Sequence, residues 1–295
     1  RYKYTGNFDV RYSEIHQGEQ ELPTSSLQKD VIIHWSHAQD GKARPGESFS
    51  ANVEAGSSNY NKFNSYNPAA YLKSTFQSAI TYSKSFTFLG ASFFSSFAGR
   101  HSQNLQNKTI SVTLPSVNLN MNRIYPFKST KRLEAHWYDK IGTSYSGQLE
   151  NKIDTYDSLL LKPSSLNQFK NGIRHFIPIT TSLNLFNYFT FTPSINLTSR
   201  WYNQTISKHY VPTIQDAITD TVYGFKIAND YSFSANLNTK IYGDFIFRKG
   251  GLKQIRHLLI PNFSYNYRPD YSEDHYGYYK DVQTDSLGNT EEYSK

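Results

Sequence analysis

The chain has 295 residues, 31 basic and 24 acidic side chains, a net charge of +7 and a mean hydropathy of −0.63. It holds 24 tyrosines and 20 phenylalanines but one methionine and no cysteine. No run of about 18 apolar residues occurs, which excludes a spanning helix, and the lack of thiols excludes disulfide scaffolds, thiolate metal sites and cysteine catalysis within these residues.

Aromatic, Thr-rich and β-branched composition favours strands over helices. The basic excess suits nucleic acid, lipid phosphate or acidic glycan, and equally a mildly basic soluble surface. The opening Arg1-Tyr2-Lys3 already alternates, so the chain reads as a mature or excised segment with no signal peptide.

A period of two runs along nearly all of it. Tyr2, Tyr4, Phe8, Val10 and Tyr12 alternate with Lys3, Thr5, Asn7, Asp9 and Arg11. Val31, Ile33 and Trp35 follow, then Phe49, Ala51, Val53 and Ala55. Phe76, Ile80 and Tyr82 lead into Leu89, Ala91, Phe93 and Phe97, and Ile141, Tyr145, Leu149 and Ile153 form another stripe. In 183–202 the apolar set is Leu183, Leu185, Phe189, Phe191, Pro193, Ile195, Leu197 and Trp201, against Asn184, Thr190, Thr192, Asn196, Thr198 and Arg200. The longest stripe, Tyr231 to Phe247, opposes Asp230, Ser232, Ser234, Asn236, Lys240 and Asp244, and Ile255, Leu259, Phe263, Tyr265 and Tyr267 close the series. The pattern predicts an all-β chain of roughly 11–12 antiparallel strands without a helix of any length, many of them longer than the ~5–6 residues usual in globular sheets.

Connections carry further information. Tight turns are expected at 186–188, 249–251 and Thr87-Phe88, with a short Pro-Gly link at Asp40–Gly46. Long polar links are expected at 15–29, 58–71, 154–170, 208–226 and 269–295. Short turns at one end and long loops at the other are the pattern of an outer-membrane barrel. Residues 104–107 and 124–132 fit that alternation imperfectly. Pro115, Pro178, Pro193 and Pro261 lie inside strands, where each deletes a ladder donor and marks a bulge, an edge or a local opening; a parity switch at Pro115 reads as a one-residue bulge.

The apolar face must meet either a second sheet or lipid. Long strands, an uncharged-rich opposite face and aromatics near strand ends favour a transmembrane β-barrel. A sandwich, a solenoid or a fibrous extracellular β-protein, such as an adhesin, is the competing reading. No phosphate loop, zinc signature or nucleophile elbow is present. His34 and His37 face opposite sides of a strand, and the acidic cluster Glu14, Glu19, Glu21 with His16 reads as a solvated loop, so no catalytic residue, metal site or cofactor is expected. On the polar parity lie Arg174, Lys240, Arg248 and Arg256, with Arg123 and Arg200 less firmly placed. These are the candidate ligand-facing basic residues of a lumen; the competing reading is a channel wall of mixed sign, since Glu150, Asp230 and Asp244 share that face.

Several stretches resemble one family, the lipopolysaccharide-assembly LptD barrels in their Bacteroidetes-type form: SVTLPSVNLNMNRIYPF (111–127), WYDKIGTSYSGQLENKI (137–153), TDTVYGFKIANDYSFSANLNTKIYG (219–243), IRHLLIPNFSYNYRPDY (255–271) and NSYNPAAYLKSTFQSAITYSKSF (64–86). The resemblance implies a non-enzymatic outer-membrane barrel that inserts lipopolysaccharide into the outer leaflet. It implies as partners an LptE-like plug lipoprotein, outer-membrane lipid and a periplasmic Lpt bridge docked through an N-terminal jellyroll, with no nucleic acid. Residues 1–295 then read as a middle portion of the barrel, the jellyroll and remaining strands lying outside it. The family's inter-domain disulfides, where they occur, have no cysteine to use here. A passive porin or nutrient transporter is the alternative membrane reading.

Overall fold

The structure is a computed structural model that describes residues 3–19, 21, 23, 25–65, 67–129, 136–160, 162–247, 251 and 253–295, without the side chains of 69, 70 and 166. Among these residues the strands are β1 (Tyr4–Gln17), β2 (Ser26–Gln39), β3 (Glu47–Gly56), β4 (Thr75–Phe88), β5 (Ala91–Asn104), β6 (Thr109–Ile124), β7 (Gly142–Tyr156), β8 (Lys170–Thr180), β9 (Leu183–Leu185), β10 (Phe189–Val211), β11 (Asp216–Thr239), β12 (Ile241–Ile246), β13 (Gln254–Leu259), β14 (Asn262–Tyr267), β15 (Tyr279–Gln283) and β16 (Thr290–Ser294). Twelve of them form one sheet in the order β1-β2-β3-β4-β5-β6-β7-β8-β10-β11-β14, with β9 also on β10. Neighbours in the sheet follow chain order, as short antiparallel connections require, except that β10 stands next to β8 and β14 next to β11. β12 pairs with β13, and β15 with β16. The all-β antiparallel reading is thus what the structure shows. The helical pieces, Tyr60–Asn64, Pro68–Tyr71 and Pro163–Leu166, are single turns inside connections.

The chain divides into two compact units, residues 1–120 with 147–173 and residues 121–146 with 174–295. In the first, β1 and β2 pair along their whole length, from Tyr4↔Gln39 to Gln17↔Ser26. Phe8, Val10 and Tyr12 lie opposite Trp35, Ile33 and Val31, while Asn7 and Asp9 lie opposite Ser36 and His34. Both strands therefore put their apolar residues on one face, as a period of two demands. The buried cluster in this unit is small: Ile32, Tyr60 and Phe76, with Leu105 packed against it. It forms where the connection after β3 folds back and lays Tyr60 on Ile32.

The second unit holds the longest hairpin, β10 with β11. Its register shifts once, where Asn203 alone stands opposite Gly224 and Phe225. That bulge needs Gly224, whose φ of 148° is closed to side-chain-bearing residues. Below it the next hairpin runs from β11 and β12 into β13 and β14. Pairing is interrupted near Lys240 and Pro261, yet Leu237↔Phe263 and Ile241↔Leu259 are in one register, so no residue is inserted.

Turn positions follow backbone geometry more closely than composition. Phe186 and Asn187 have φ of 53° and 62°, and Tyr188 N–H donates to Leu185 O at 3.1 Å, closing the expected three-residue turn. The turn expected at Thr87-Phe88 is instead at Leu89-Gly90, with φ of 50° and 78° between the paired Phe88 and Ala91. Alternation continued into the turn, so parity alone misplaced it. Residues 208–226 are not a long loop: β10 and β11 pair from Gln204↔Tyr223 to Val211↔Asp216, leaving only 212–215 as a turn. Residues 249 and 250 of the other expected turn lie outside the described residues; Phe247 N–H donates to Lys253 O across it at 2.9 Å. Residues 269–295 contain the β15–β16 hairpin, not only loop.

That hairpin is closed by Asp285, whose Oδ1 accepts from the N–H of Leu287 at 2.9 Å and of Asn289 at 3.0 Å, and whose Oδ2 accepts from Asn289 Nδ2 at 2.5 Å. The Asn289 side chain first, then its backbone N–H, holds the Asp285 carboxyl below the usual carboxylate range. A depressed folded-state pKa gives stability that is present above the unfolded value of about 4 and is lost as pH falls through the folded value. Exchange of the β15–β16 amides should therefore accelerate below about pH 4. Asp285→Asn should remove that pH step, which amide exchange measured across pH 3–6 checks.

Candidate functional site

The feature with functional content is the pair of faces that register builds. In the second unit Phe191, Leu237 and Phe263 stand side by side across β10, β11 and β14, as do Ile195, Phe233 and Tyr267. Ile241 faces Leu259 and Phe245 faces Ile255. These residues do not cover a core: Phe263 is 68% and Phe245 60% exposed, with Ile195, Leu197, Tyr231 and Tyr265 also exposed. The opposite face is a ladder of hydroxyls and amides. Ser194 and Ser234 hydroxyls are 2.6 Å apart, Asn196 Nδ2 donates to Ser232 Oγ at 3.3 Å, and Asn236 Nδ2 to Ser264 Oγ at 3.3 Å. An apolar surface this extended, interrupted on β10 and β11 by Ser199 opposite Asn229, with a ladder of polar groups on the other side, is what lipid contact selects and water disfavours.

Aromatic rings cross the strands in rows. In the second unit Tyr145 donates or accepts at His175 Nδ1 over 2.8 Å, His175 lies 4.4 Å from the Trp201 ring, and Trp201 meets Phe225 edge-on at 5.9 Å. The row thus spans β7, β8, β10 and β11. In the first unit His37 lies between Tyr4 at 5.8 Å and Phe49 at 5.2 Å, with Trp35 6.4 Å from His37 and 6.3 Å from Phe49. Such rows match the interfacial girdles of barrels. On β10 the stripe from Phe189 ends at Trp201, just before the bulge. At about 3.3 Å per residue and a tilt near 45°, that length projects to roughly 28 Å, close to a bilayer's hydrocarbon thickness. Beyond the bulge the hairpin has no single dry face.

The three candidate basic residues that are described, Arg174, Lys240 and Arg256, lie on or beside different elements and form no shared cluster. Arg174 lies on β8 with its guanidinium 5.7 Å over the Phe176 ring. Arg256 Nε donates to Asp244 Oδ1 at 2.9 Å, with Gln254 Nε2 on the same oxygen at 3.3 Å, so its charge is met by its register partner. Lys240 is exposed at the junction of β11 and β12. Arg248 lies outside the described residues. Arg200, less firmly placed by sequence, pairs with Asp230 at 2.5 Å.

Among the prolines, Pro115, Pro178 and Pro193 lie inside strands that continue through them, and Pro261 separates β13 from β14. A strand residue points N–H and C=O to the same side. Pro193 O accepts from Thr181 N–H at 3.2 Å, so its missing donor faces the break between β8 and β9 and not β11. Pro178 O accepts from Thr143 Oγ1 at 3.1 Å, a side chain on β7 serving where the ladder loses a bond. The Leu114–Pro115 peptide is cis, and Asn151 Nδ2 donates to Leu114 O at 3.0 Å.

One polar bridge was invisible to parity. Arg123 on β6 reaches across β7 and donates through Nη2 to both the carbonyl, at 3.0 Å, and the hydroxyl of Thr180 on β8. It passes over Gly142, where a Cβ would lie 2.2 Å from Arg123 Nε. Only the absence of that side chain opens the path.

The sequence profile of one protein family, described as LptD protein, matches residues 1–295, the whole chain. The chain belongs to the LptD protein family. The family is one of outer-membrane lipopolysaccharide assembly, and the two-faced β-sheet accords with it. No curated protein matches the chain. For this LptD-family chain, Gly142→Ala should displace Arg123 and destabilise the sheet by about 1 kcal/mol, the worth of its hydrogen bonds. Arg123→Lys should cost a similar amount, and the double variant little more than either alone. Urea midpoints of the three variants check this; additive losses would mean that the two residues act separately.

Proposed function

We propose that this chain is part of an outer-membrane translocon that inserts lipopolysaccharide into the outer leaflet. The observation that carries the reading is the extended exposed apolar face of β10, β11 and β14, in a chain of the LptD family. On this reading the apolar face meets lipid and the Ser, Asn and Thr ladder faces an aqueous lumen for the sugar and phosphate headgroup. Lys240 and Arg174 supply unneutralised positive charge there, while Arg256 and Arg200 serve as structural ion pairs. The protein acts as a passage and not an enzyme, driven by a periplasmic Lpt bridge upstream, with a plug lipoprotein of the LptE type as partner. Acyl chains leave where strand pairing is weakest, and the proline-interrupted seams at Pro193 and Pro261 are the weak points of this part of the wall.

Depletion of the full protein should leave lipopolysaccharide behind the outer membrane and reduce it at the cell surface. Normal surface lipopolysaccharide after depletion would overturn the reading. The lipid-facing assignment has its own check in urea unfolding from lipid vesicles. Ile195→Lys should cost roughly 2–4 kcal/mol, and Asn196→Lys, one residue away on the other face, should cost far less. Equal costs would mean that lipid does not cover the odd-numbered face.

A further inference from the structure

β14 runs along β11 and stops at Tyr267, although β11 continues to Asp216. The cause is in the register. Thr239 N–H donates to Pro261 O at 3.3 Å, so 239/261 is a hydrogen-bonded pair, and antiparallel alternation makes 237/263, 235/265 and 233/267 the same kind. The next such pair would be Tyr231 with Pro269, and proline has no N–H to give. The free edge of β11 is nevertheless occupied. Tyr271 Oη accepts from Tyr231 N–H at 2.5 Å and donates to Tyr231 O at 2.8 Å. Two residues on, Tyr278 Oη accepts from Asn229 N–H at 2.8 Å and donates to Asn229 O at 2.8 Å. On β10, Tyr293 Oη accepts from Lys208 N–H at 3.0 Å, with Lys208 Nζ 5.4 Å over its ring.

A hydroxyl carries one donor and two acceptor sites, so a single tyrosine satisfies both main-chain groups of a strand residue, as a neighbouring strand would. Tyr271 and Tyr293 are each only 7% exposed. The rings reinforce one another: Tyr271 meets Tyr231 edge-on at 6.4 Å and Tyr276 at 4.8 Å, Tyr276 stacks near Tyr278 at 6.0 Å, and the Arg268 guanidinium sits 5.5 Å over Tyr271. β15 and β16 ladder with each other, not with β10 or β11.

We propose that residues 268–295 form a releasable strap on the β10–β11 hairpin, in which the hydroxyls of Tyr271 and Tyr278 stand in on β11 for the strand that Pro269 excludes, and Tyr293 anchors the strap to β10. The strap is held through side chains, by the three tyrosines and by Arg268 with Asp230 at 3.9 Å, not through a continuous ladder, so it opens as a unit while β10 and β11 stay paired. Opening presents the N–H and C=O groups of Asn229 and Tyr231 together. That is a ready strand-acceptor edge, of the kind that binds an extended segment by main-chain hydrogen bonds.

Residue-resolved amide exchange on the full-length protein in detergent micelles tests the strap. The amides of Lys208, Asn229 and Tyr231 should exchange together with those of β15 and β16, as one unit, at least about tenfold faster than Phe233 and Leu237. Tyr271→Phe keeps the ring and removes the hydroxyl. It should speed exchange at Tyr231 and across the strap by about tenfold, the usual worth of a hydrogen bond, and leave Phe233 unchanged. Tyr279→Phe, on the same hairpin, should change neither. The proposal is overturned if Asn229 and Tyr231 exchange with Phe233, or if Tyr271→Phe behaves as Tyr279→Phe does. None of these measurements involves lipopolysaccharide, so their outcome is separate from that of the translocation reading.

Discussion

Backbone hydrogen bonding is the constraint from which the rest of this structure follows. A sheet whose apolar face is not buried against protein cannot rely on a core for stability, and its N–H and C=O groups cannot rely on water where the surface is apolar. Each must therefore find a partner inside the sheet. The long registers of β1 with β2 and of β10 with β11 answer that demand over most of the chain. The buried hydrophobic cluster of the first unit, by contrast, amounts to Ile32, Tyr60 and Phe76.

Where the ladder fails, a side chain substitutes. Thr143 serves the carbonyl of Pro178, Asn151 that of Leu114, and Ser78 Oγ both accepts from Glu54 N–H and donates to Glu54 O at 3.0 Å. The tyrosines on Asn229 and Tyr231 are the same device on a larger scale. Prolines are tolerated in this wall because short polar side chains on the next strand can reach the groups that they orphan. The Arg123 bridge to Thr180 shows the complementary condition: the intervening strand must give way, here through Gly142.

The two faces also divide the work. The odd-numbered residues of β10 and β11 supply apolar area without close packing, and the even-numbered ones supply hydroxyls and amides that bond to each other across strands. Two of the arginines on the polar side are matched in place, Arg256 by Asp244 and Arg200 by Asp230. A basic composition did not translate into a basic cluster, because cross-strand register put a carboxylate beside each of these arginines.

The sequence by itself determined the class of the fold and the identity of the two faces, since a side-chain period of two is a local property that survives any arrangement of the strands. It also carried the turn at 186–188, where parity is kept across an odd number of residues, and the family's long stretches. The features that the local pattern left open depend on partners far apart in the chain. The turn at Leu89-Gly90 and the pairing within 204–223 were hidden because alternation does not say where a strand reverses. The bulge opposite Asn203 required the register of β11 against β10. The bridge from Arg123 over Gly142, and the tyrosine hydroxyls of 268–295 on the edge of β11, join residues 19 to 57 positions apart, and no local pattern encodes a meeting at that distance.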